Sequence, residues 1–361
     1  MNEILLRTHK GEYLPGEDVF GVVYLSIDDP TAGRGIKLIF KGYEHFHYDY
    51  RSEGGKNTLE ATKDYIDFYN VDLYSSTEPF AIGSYTFPFM MKLPKVLPGT
   101  FSAQSESDAT WTCMVDYWIQ ASVTDSDLTA TQGIVVQMKL KGEEANKTTE
   151  LDYVIRKFPF RKSIHFLVRL VDTHPVSGDK MKLRMIITNE TSTTISAFKI
   201  KLLRDILFIC KKDVPLEKLS PRIRRMQQKT YIQPEGGPLV VMETGGNSSG
   251  MDPSVLTRVL DNILIPLKSK DGQDLPPSIK GQHIECRYGL EIIITLSNNS
   301  IVRINHPVPC LLPKRNTKWQ TWMAPSWAAE AKVITSDSRF SVSDDQLNGE
   351  AFSALPGFQA L

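Results

Sequence analysis

The sequence has no closely spaced pair of cysteines. Its four, Cys113, Cys210, Cys286 and Cys310, lie far apart, form no Cys-x-x-Cys motif and fall mostly inside apolar alternating runs. Zinc-ribbon and dithiol-redox readings are excluded, and reduced thiols used as small core side chains are expected. An excess of either charge is also missing, with 42 lysines and arginines against 42 aspartates and glutamates. A protein held on nucleic acid by counterion release needs a positive surplus, so no nucleic-acid partner is expected. Nor is there a long apolar run. No stretch approaches the roughly 18 apolar residues of a spanning helix. The opening Met1-Asn2-Glu3-Ile4-Leu5-Leu6-Arg7 joins only three apolar residues before charge resumes, too few for a signal-peptide core. A cytoplasmic chain is the expectation.

Catalytic motifs are absent too. There is no His-Glu-x-x-His and no Walker-type Gly-x-x-x-x-Gly-Lys-Ser/Thr. Gly246-Asn247-Ser248-Ser249-Gly250 has the letters of a nucleophile elbow. That elbow needs a buried strand before the serine and a helix after it. A polar, glycine-containing stretch precedes this serine instead, and the segment reads as a loop. His45 and His47, two apart, would share one face of a strand, but no third ligand has a recognisable spacing and Tyr43, Phe46 and Tyr48 mark an aromatic strand. No catalytic residue, metal ligand or cofactor is assigned, and the chain is expected not to be an enzyme.

What the sequence does contain is a period of two. Val19, Gly21, Val23, Leu25 and Ile27 alternate, as do Ile36-Leu38-Phe40, Phe87-Phe89-Met91-Leu93, Tyr117-Ile119-Ala121-Val123, Met181-Leu183-Met185-Ile187, Phe198-Ile200-Leu202 and Cys286-Tyr288-Leu290-Ile292-Ile294. Each reads as a half-buried strand. Turn residues at Pro15-Gly16, Pro98-Gly99, Ser177-Gly178 and Ser297 to Ser300 separate them. Only Leu59 to Phe68 and the segment after Asp252-Pro253 read as helical, the latter because aspartate suits an N-cap and proline the first helical position. The expected fold is all-β, two sandwiches in tandem. A length of 361 residues exceeds what one core usually supports.

An internal echo supports two similar halves. Gly16-Glu17-Asp18 precedes a strand as Gly178-Asp179-Lys180 does. Leu97-Pro98-Gly99-Thr100-Phe101, leading to Tyr117, is matched by Leu275-Pro276-Pro277-Ser278-Ile279, leading to Tyr288. This is a duplicated domain plan, not a solenoid. Proline cannot donate to a central ladder, so the boundary is placed near Lys157-Phe158-Pro159. The expected domains are 1–157 and 158–315, followed by a mostly unstructured C-terminal tail, 316–361.

These residues carry a family resemblance. Tyr13-Leu14-Pro15-Gly16-Glu17-Asp18-Val19-Phe20-Gly21-Val22-Val23 resembles the opening motif of arrestin-fold proteins, Y-x-P-G-E-x-V-x-G-x-V. Arg34-Gly35-Ile36 with Leu38, Phe40, Gly42 and Glu44 continues the pattern, as do Phe87-Pro88-Phe89 and Val115-Asp116-Tyr117-Trp118-Ile119. Ile187-Thr188-Asn189-Glu190-Thr191 and Tyr288-Gly289-Leu290-Glu291-Ile292 are similar to the family's second domain. The likeness spans roughly residues 5 to 313.

The resemblance implies two immunoglobulin-like β-sandwiches in the arrestin arrangement. Departures point to its alpha-arrestin branch. Ser75 to Tyr85 leaves no room for the amphipathic helix of receptor-binding arrestins, Ser297 to Ser300 is too short for their polar-core carboxylates, and Ile4 to Thr8 has no paired lysines. A phosphate-released latch of buried charges is therefore not expected.

That branch implies a non-enzymatic adaptor linking membrane-protein cargo, through its cytosolic tails, to endocytic sorting or ubiquitination machinery. The implied partners are a clathrin adaptor or a ubiquitin ligase, and the implied site of action is the plasma membrane or endosomes. The alternative is a structural subunit of an endosomal coat, like the arrestin-fold component of retromer. Alpha-arrestins typically recruit ligases through PPxY, but the only double proline here is Pro276-Pro277-Ser278-Ile279, without tyrosine.

Three groups are candidates for contact. Lys211, Lys212, Lys218, Arg222, Arg224, Arg225 and Lys229, against Asp213 and Glu217, form either a solvated loop face or a contact for an anionic membrane surface or acidic tail. Trp319, Trp322 and Trp327 either pack back on a sandwich or meet a membrane or partner. Glu350, Phe352 and Leu355 place an acid before F-x-x-L, loosely resembling peptides that dock on clathrin-adaptor appendages.

Overall fold

The computed structural model describes residues 1–30, 33–52, 55–106, 110–138, 150–156, 162–172, 174–210, 230–246, 256–314, 322–335, 340, 342–353 and 355. The first half contains β1 (Glu3–Thr8), β2 (Glu12–Tyr13), β3 (Asp18–Ile27), β4 (Gly35–Ser52), β5 (Gly55–Ser75), β6 (Gly83–Lys92), β7 (Phe101–Gln104), β8 (Trp111–Val123), β9 (Thr129–Gly133) and β10 (Val135–Val136). The second contains β11 (Glu150–Arg156), β12 (Ser163–Leu170), β13 (Lys180–Asn189), β14 (Ile195–Cys210), β15 (Thr230–Ile232), β16 (Leu239–Gly246), β17 (Thr257–Pro266), β18 (Ile279–Lys280), β19 (Ile284–Leu296) and β20 (Ile301–Val308). The tail adds β21 (Lys332–Val333), α1 (Asp344–Leu347) and α2 (Glu350–Ser353).

Alternation becomes two-layered packing in each half. Along β8 and β19 every second residue is buried, from Trp111 to Val123 and from Ile284 to Leu296. In the first half the sheet β1-β3-β6 packs against β5-β4-β8-β7, and Val23, Leu25, Phe87 and Phe89 meet Leu38, Phe40, Tyr117 and Ile119 in one core. In the second half β11-β12-β13-β17 covers β15-β14-β19-β18 in the same way, through Phe166, Val168, Leu183 and Met185 against Leu202, Leu290 and Ile292.

The internal echo is a structural repeat down to single bonds. Gly16 and Gly178 hold φ of 88° and 84°, the left-handed turn that only glycine enters without strain, just before β3 and β13. Tyr117 on β8 donates its hydroxyl to the Pro98 carbonyl at 2.8 Å, and Tyr288 on β19 donates to the Pro276 carbonyl at 2.6 Å. Each tyrosine thus ties a central strand to the Leu-Pro segment leading into β7 or β18.

The first helical expectation is overturned, and the second begins outside the described residues. Leu59 to Phe68 lies within β5, where Leu59 opposes Tyr48, Ala61 opposes Phe46 and Ile66 opposes Gly42. Asp64 pairs with Tyr43 and Ile66 with Gly42, so Tyr65 is a bulge residue. One extra residue switches side-chain parity mid-strand, and the apolar spacing then mimics a helix. Residues 252–255 lie outside the described ones, and from Thr257 the chain is β17, paired with β13. Between Ser75 and Gly83 the chain crosses without a helix. Cys113, Cys286 and Cys310 are buried thiols outside any disulfide. The boundary at Lys157 to Pro159 lies outside the described residues.

Replacing Tyr117 or Tyr288 by phenylalanine leaves a proline carbonyl without its donor at little change in volume. Each substitution is expected to cost about 1–3 kcal/mol, read from denaturant unfolding. A pair of variants as stable as the parent would show that the two corners contribute nothing.

Candidate functional site

Two surfaces stand out. The first is the junction between the halves, where β4 and β8 run beyond the first core and meet the ends of β14 and β19. Phe46 stacks on Phe208 with centroids 4.4 Å apart and planes 10° from parallel. Trp111 meets the same Phe208 ring edge-on at 6.0 Å, and Tyr48 does so at 6.1 Å. Phe46 and Phe208 are wholly buried, and such aromatic contacts contribute about 0.5–1.5 kcal/mol each beyond the area they bury.

Charge enters the junction twice. Arg204 of β14 is buried, pairs with Glu235 of its own half and lies 3.4 Å from Glu106 of the other. Burial pushes the Glu235 carboxyl above its usual range, against the pull of Arg204. Glu44, on β4, is wholly buried and reaches the turn before β19. Beside the junction, clefts of about 310 and 440 Å³ flank β7 and the facing 271–277 segment.

The second surface is the outer face of β1-β3-β6, which the tail covers. β21 adds to β6 in parallel, Lys332 beside Tyr85 and Val333 beside Thr86, and the Ile334 amide donates to the Thr86 carbonyl at 2.9 Å. Val22, Tyr24, Ala328, Val342, Leu347, Phe352 and Leu355 form a separate apolar cluster on this face. Phe352 meets Phe20 edge-on at 5.5 Å. Trp322 and Trp327 both approach Tyr24, at 5.9 and 6.5 Å. Trp322 also sits under the Arg7 guanidinium, and the Trp327 indole donates to Glu3 at 3.3 Å.

Residues 3–150 match the arrestin (or S-antigen) N-terminal domain, and residues 161–311 match the arrestin (or S-antigen) C-terminal domain. The chain belongs to the arrestin family. It is also similar to Arrestin domain-containing protein A of Dictyostelium discoideum, 24% identical over 153 residues that cover 38% of this chain and 26% of that protein. The chain thus spans about a quarter of the length of the curated relative it matches. The relative's name and the helix-free crossing before β6 both fit the alpha-arrestin type. Membership supports an adaptor role in general, since arrestin-family proteins are generally non-enzymatic adaptors.

The sequence candidates are distributed unevenly over this arrestin. Lys211, Lys212, Lys218, Arg222, Arg224, Arg225, Lys229, Trp319 and Ser248 lie outside the described residues. Trp322 and Trp327 lie against the N-domain sheet. Glu350 is exposed at the start of α2, whereas Phe352 and Leu355 are buried, so the described stretches of the tail are packed on the sheet. A linear docking peptide must offer both of those side chains, and here the sheet already holds them. His45 and His47 share a strand face as expected, but His45 meets Thr62 and Glu60 and His47 meets Asp49. Among the described residues no group of three metal-ligating side chains forms, and no helix is long and apolar enough to cross a membrane.

Sequence reasoning missed the acceptor surface for the tail, although a signal was present. In Asp18–Ile27 the outward positions Phe20, Val22 and Tyr24 are apolar too, and a strand apolar on both faces is buried on both. Glu44 was legible in the same way, as an acid on the parity of Leu38, Phe40, Gly42 and Phe46, all inner-face positions.

Phe352→Ala is expected to weaken tail docking by about 3–5 kcal/mol, the usual cost of emptying a buried aromatic site. Hydrogen exchange at the Ile334 amide should then speed by about a hundredfold or more. Unchanged protection at that amide would mean that Phe352 does not hold the tail.

Proposed function

We propose that this arrestin links cytosolic tails of membrane proteins to endocytic sorting or ubiquitination machinery, acting from the cytoplasm at the plasma membrane or endosomes. The observation that carries the reading is the pair of arrestin domains, matched over both halves of the chain and joined by a packed junction. An extended cargo segment is assigned to the edge of β7, which no described strand pairs with on its outer side. This strand is bonded to β8 on one side, ends its sheet, and exposes Ser102 and Gln104 into the flanking clefts. A peptide adding there gains backbone hydrogen bonds, with side-chain pockets setting preference.

Recruitment of machinery is assigned to the tail. The acid and F-x-x-L peptide at Glu350, Phe352 and Leu355 becomes available to an appendage domain only when Phe352 leaves the sheet. A ligase would need a route other than PPxY, because Pro276 and Pro277 lead into β18 inside the sandwich and Ser278 is buried. The basic residues between Lys211 and Lys229 are assigned to an anionic membrane surface.

Proximity labelling from the intact chain and from a chain ending at Lys314 tests the reading. Integral membrane proteins are expected among the neighbours of both, with coat or ligase components enriched only when the tail is present. Neighbours confined to soluble metabolic enzymes would overturn it. Elution of the native protein only within one stoichiometric assembly would favour a structural coat subunit instead.

A further inference from the structure

Glu44 is an ionisable side chain with no exposure, at the centre of the junction. Its Oε1 accepts the His283 and Ile284 amides at 2.9 and 2.6 Å. Its Oε2 accepts the Gln282 amide at 2.9 Å and the Tyr65 hydroxyl at 2.5 Å. Among the described residues no lysine, arginine or histidine side chain pairs with it. Three consecutive backbone N–H groups converging on one anion form a nest, which supplies positive potential from fixed dipoles without a cation.

Each part of the arrangement is specific to holding a carboxylate. Gly281 closes the turn through its amide to the Ile284 carbonyl at 2.8 Å, and a Cβ at this position would fall inside the radius of Glu44 Oε1. Tyr65 is the bulge residue of β5, and re-aiming a side chain is what a bulge does. Burial first, and then the Glu44 carboxylate beside it, push the Tyr65 hydroxyl up, so it remains a donor. The nest belongs to the C-domain, while the carboxylate and the tyrosine belong to the N-domain. The bonds therefore exist only in one relative placement of the two sandwiches.

We propose that the turn from Gly281 to Ile284 is a carboxylate receptor whose resident ligand is Glu44, and that this one anion fixes how the two sandwiches are set against each other. A buried carboxylate that loses its donors is strongly disfavoured, as are three amides that lose their acceptor. The pin therefore resists rotation of the domains in a way that the flat Phe46 and Phe208 contact, free to slide, does not. Glutamine is not a substitute, since its NH2 group would face an N–H donor.

The test uses the full chain with Glu44→Ala, Glu44→Gln and Tyr65→Phe. Thermal unfolding is followed in sodium acetate and in sodium chloride of equal ionic strength, together with small-angle scattering. Both Glu44 variants should melt lower by about 5–10 °C, the scale set by losing several charge-assisted bonds in a domain pair of this size. Their interatomic distance distributions should broaden. Acetate replaces the atoms that Glu44→Ala removes, so it should raise that variant's melting point and narrow its distribution while leaving the parent unchanged.

Equal melting of Glu44→Gln and the parent overturns the proposal, as does a Glu44→Ala variant that responds alike to acetate and chloride. Should Glu44→Ala fail to fold, Tyr65→Phe retains the carboxylate and removes one of its donors. A drop of about 2–4 °C supports the pin, and no drop removes it.

Discussion

A β-sandwich hides the inner face of each sheet and leaves the outer faces to water, so any apolar residue on an outer face must find a cover. That constraint organises the N-domain. β3 has apolar residues on both parities, and with Tyr24 and Val22 wholly buried the sheet is stable only with a third layer over it. The chain supplies that layer from its own tail, between Trp322 and Leu355, using aromatic side chains on short turns. Neither α1 nor α2 has the length to form alone. Their order comes from Phe352, Leu347 and Leu355 finding an apolar floor.

The junction is built from two unlike interactions. Phe46, Tyr48, Trp111 and Phe208 contribute area, which is strong but tolerates sliding. Glu44 contributes direction, because four donors converge on two oxygens in a single geometry. No phosphate-released latch of buried charges was expected from the sequence. The junction does bury charge, through Glu44 on backbone amides and through Arg204 between Glu235 and Glu106, but Glu44 is balanced by dipoles and not by a cation. An adaptor that presents edges and clefts on two domains at once gains from such rigidity, since a partner spanning both then binds surfaces already in register.

The short-range features were legible in the sequence because they are set by neighbours in the chain. Alternation in Trp111–Val123 and Ile284–Leu296 predicts the strands directly. The repeated glycine turn and the Leu-Pro segments predict a duplicated plan, which the Tyr117 and Tyr288 bonds realise. The reading of Leu59 to Phe68 as helix went wrong for a local reason with a distant cause. A bulge at Tyr65 shifts the pattern by one residue, and only pairing with β4 reveals that the shift is a bulge and not a turn of helix. Likewise, Phe352 reads as a free docking residue until the apolar outer face of β3 is in view.

By itself, then, the sequence determined the strand periods, the places of the glycine turns, the two-domain plan and the family. Each of these rests on interactions between residues close in the chain or on backbone sterics. Tertiary structure alone decided which donors Glu44 would meet, where the tail would lie and how the sandwiches would meet. Glu44 and Gln282 are separated by 238 residues. No local pattern can encode that contact, because its energy exists only after both domains have folded and withdrawn the carboxylate from water.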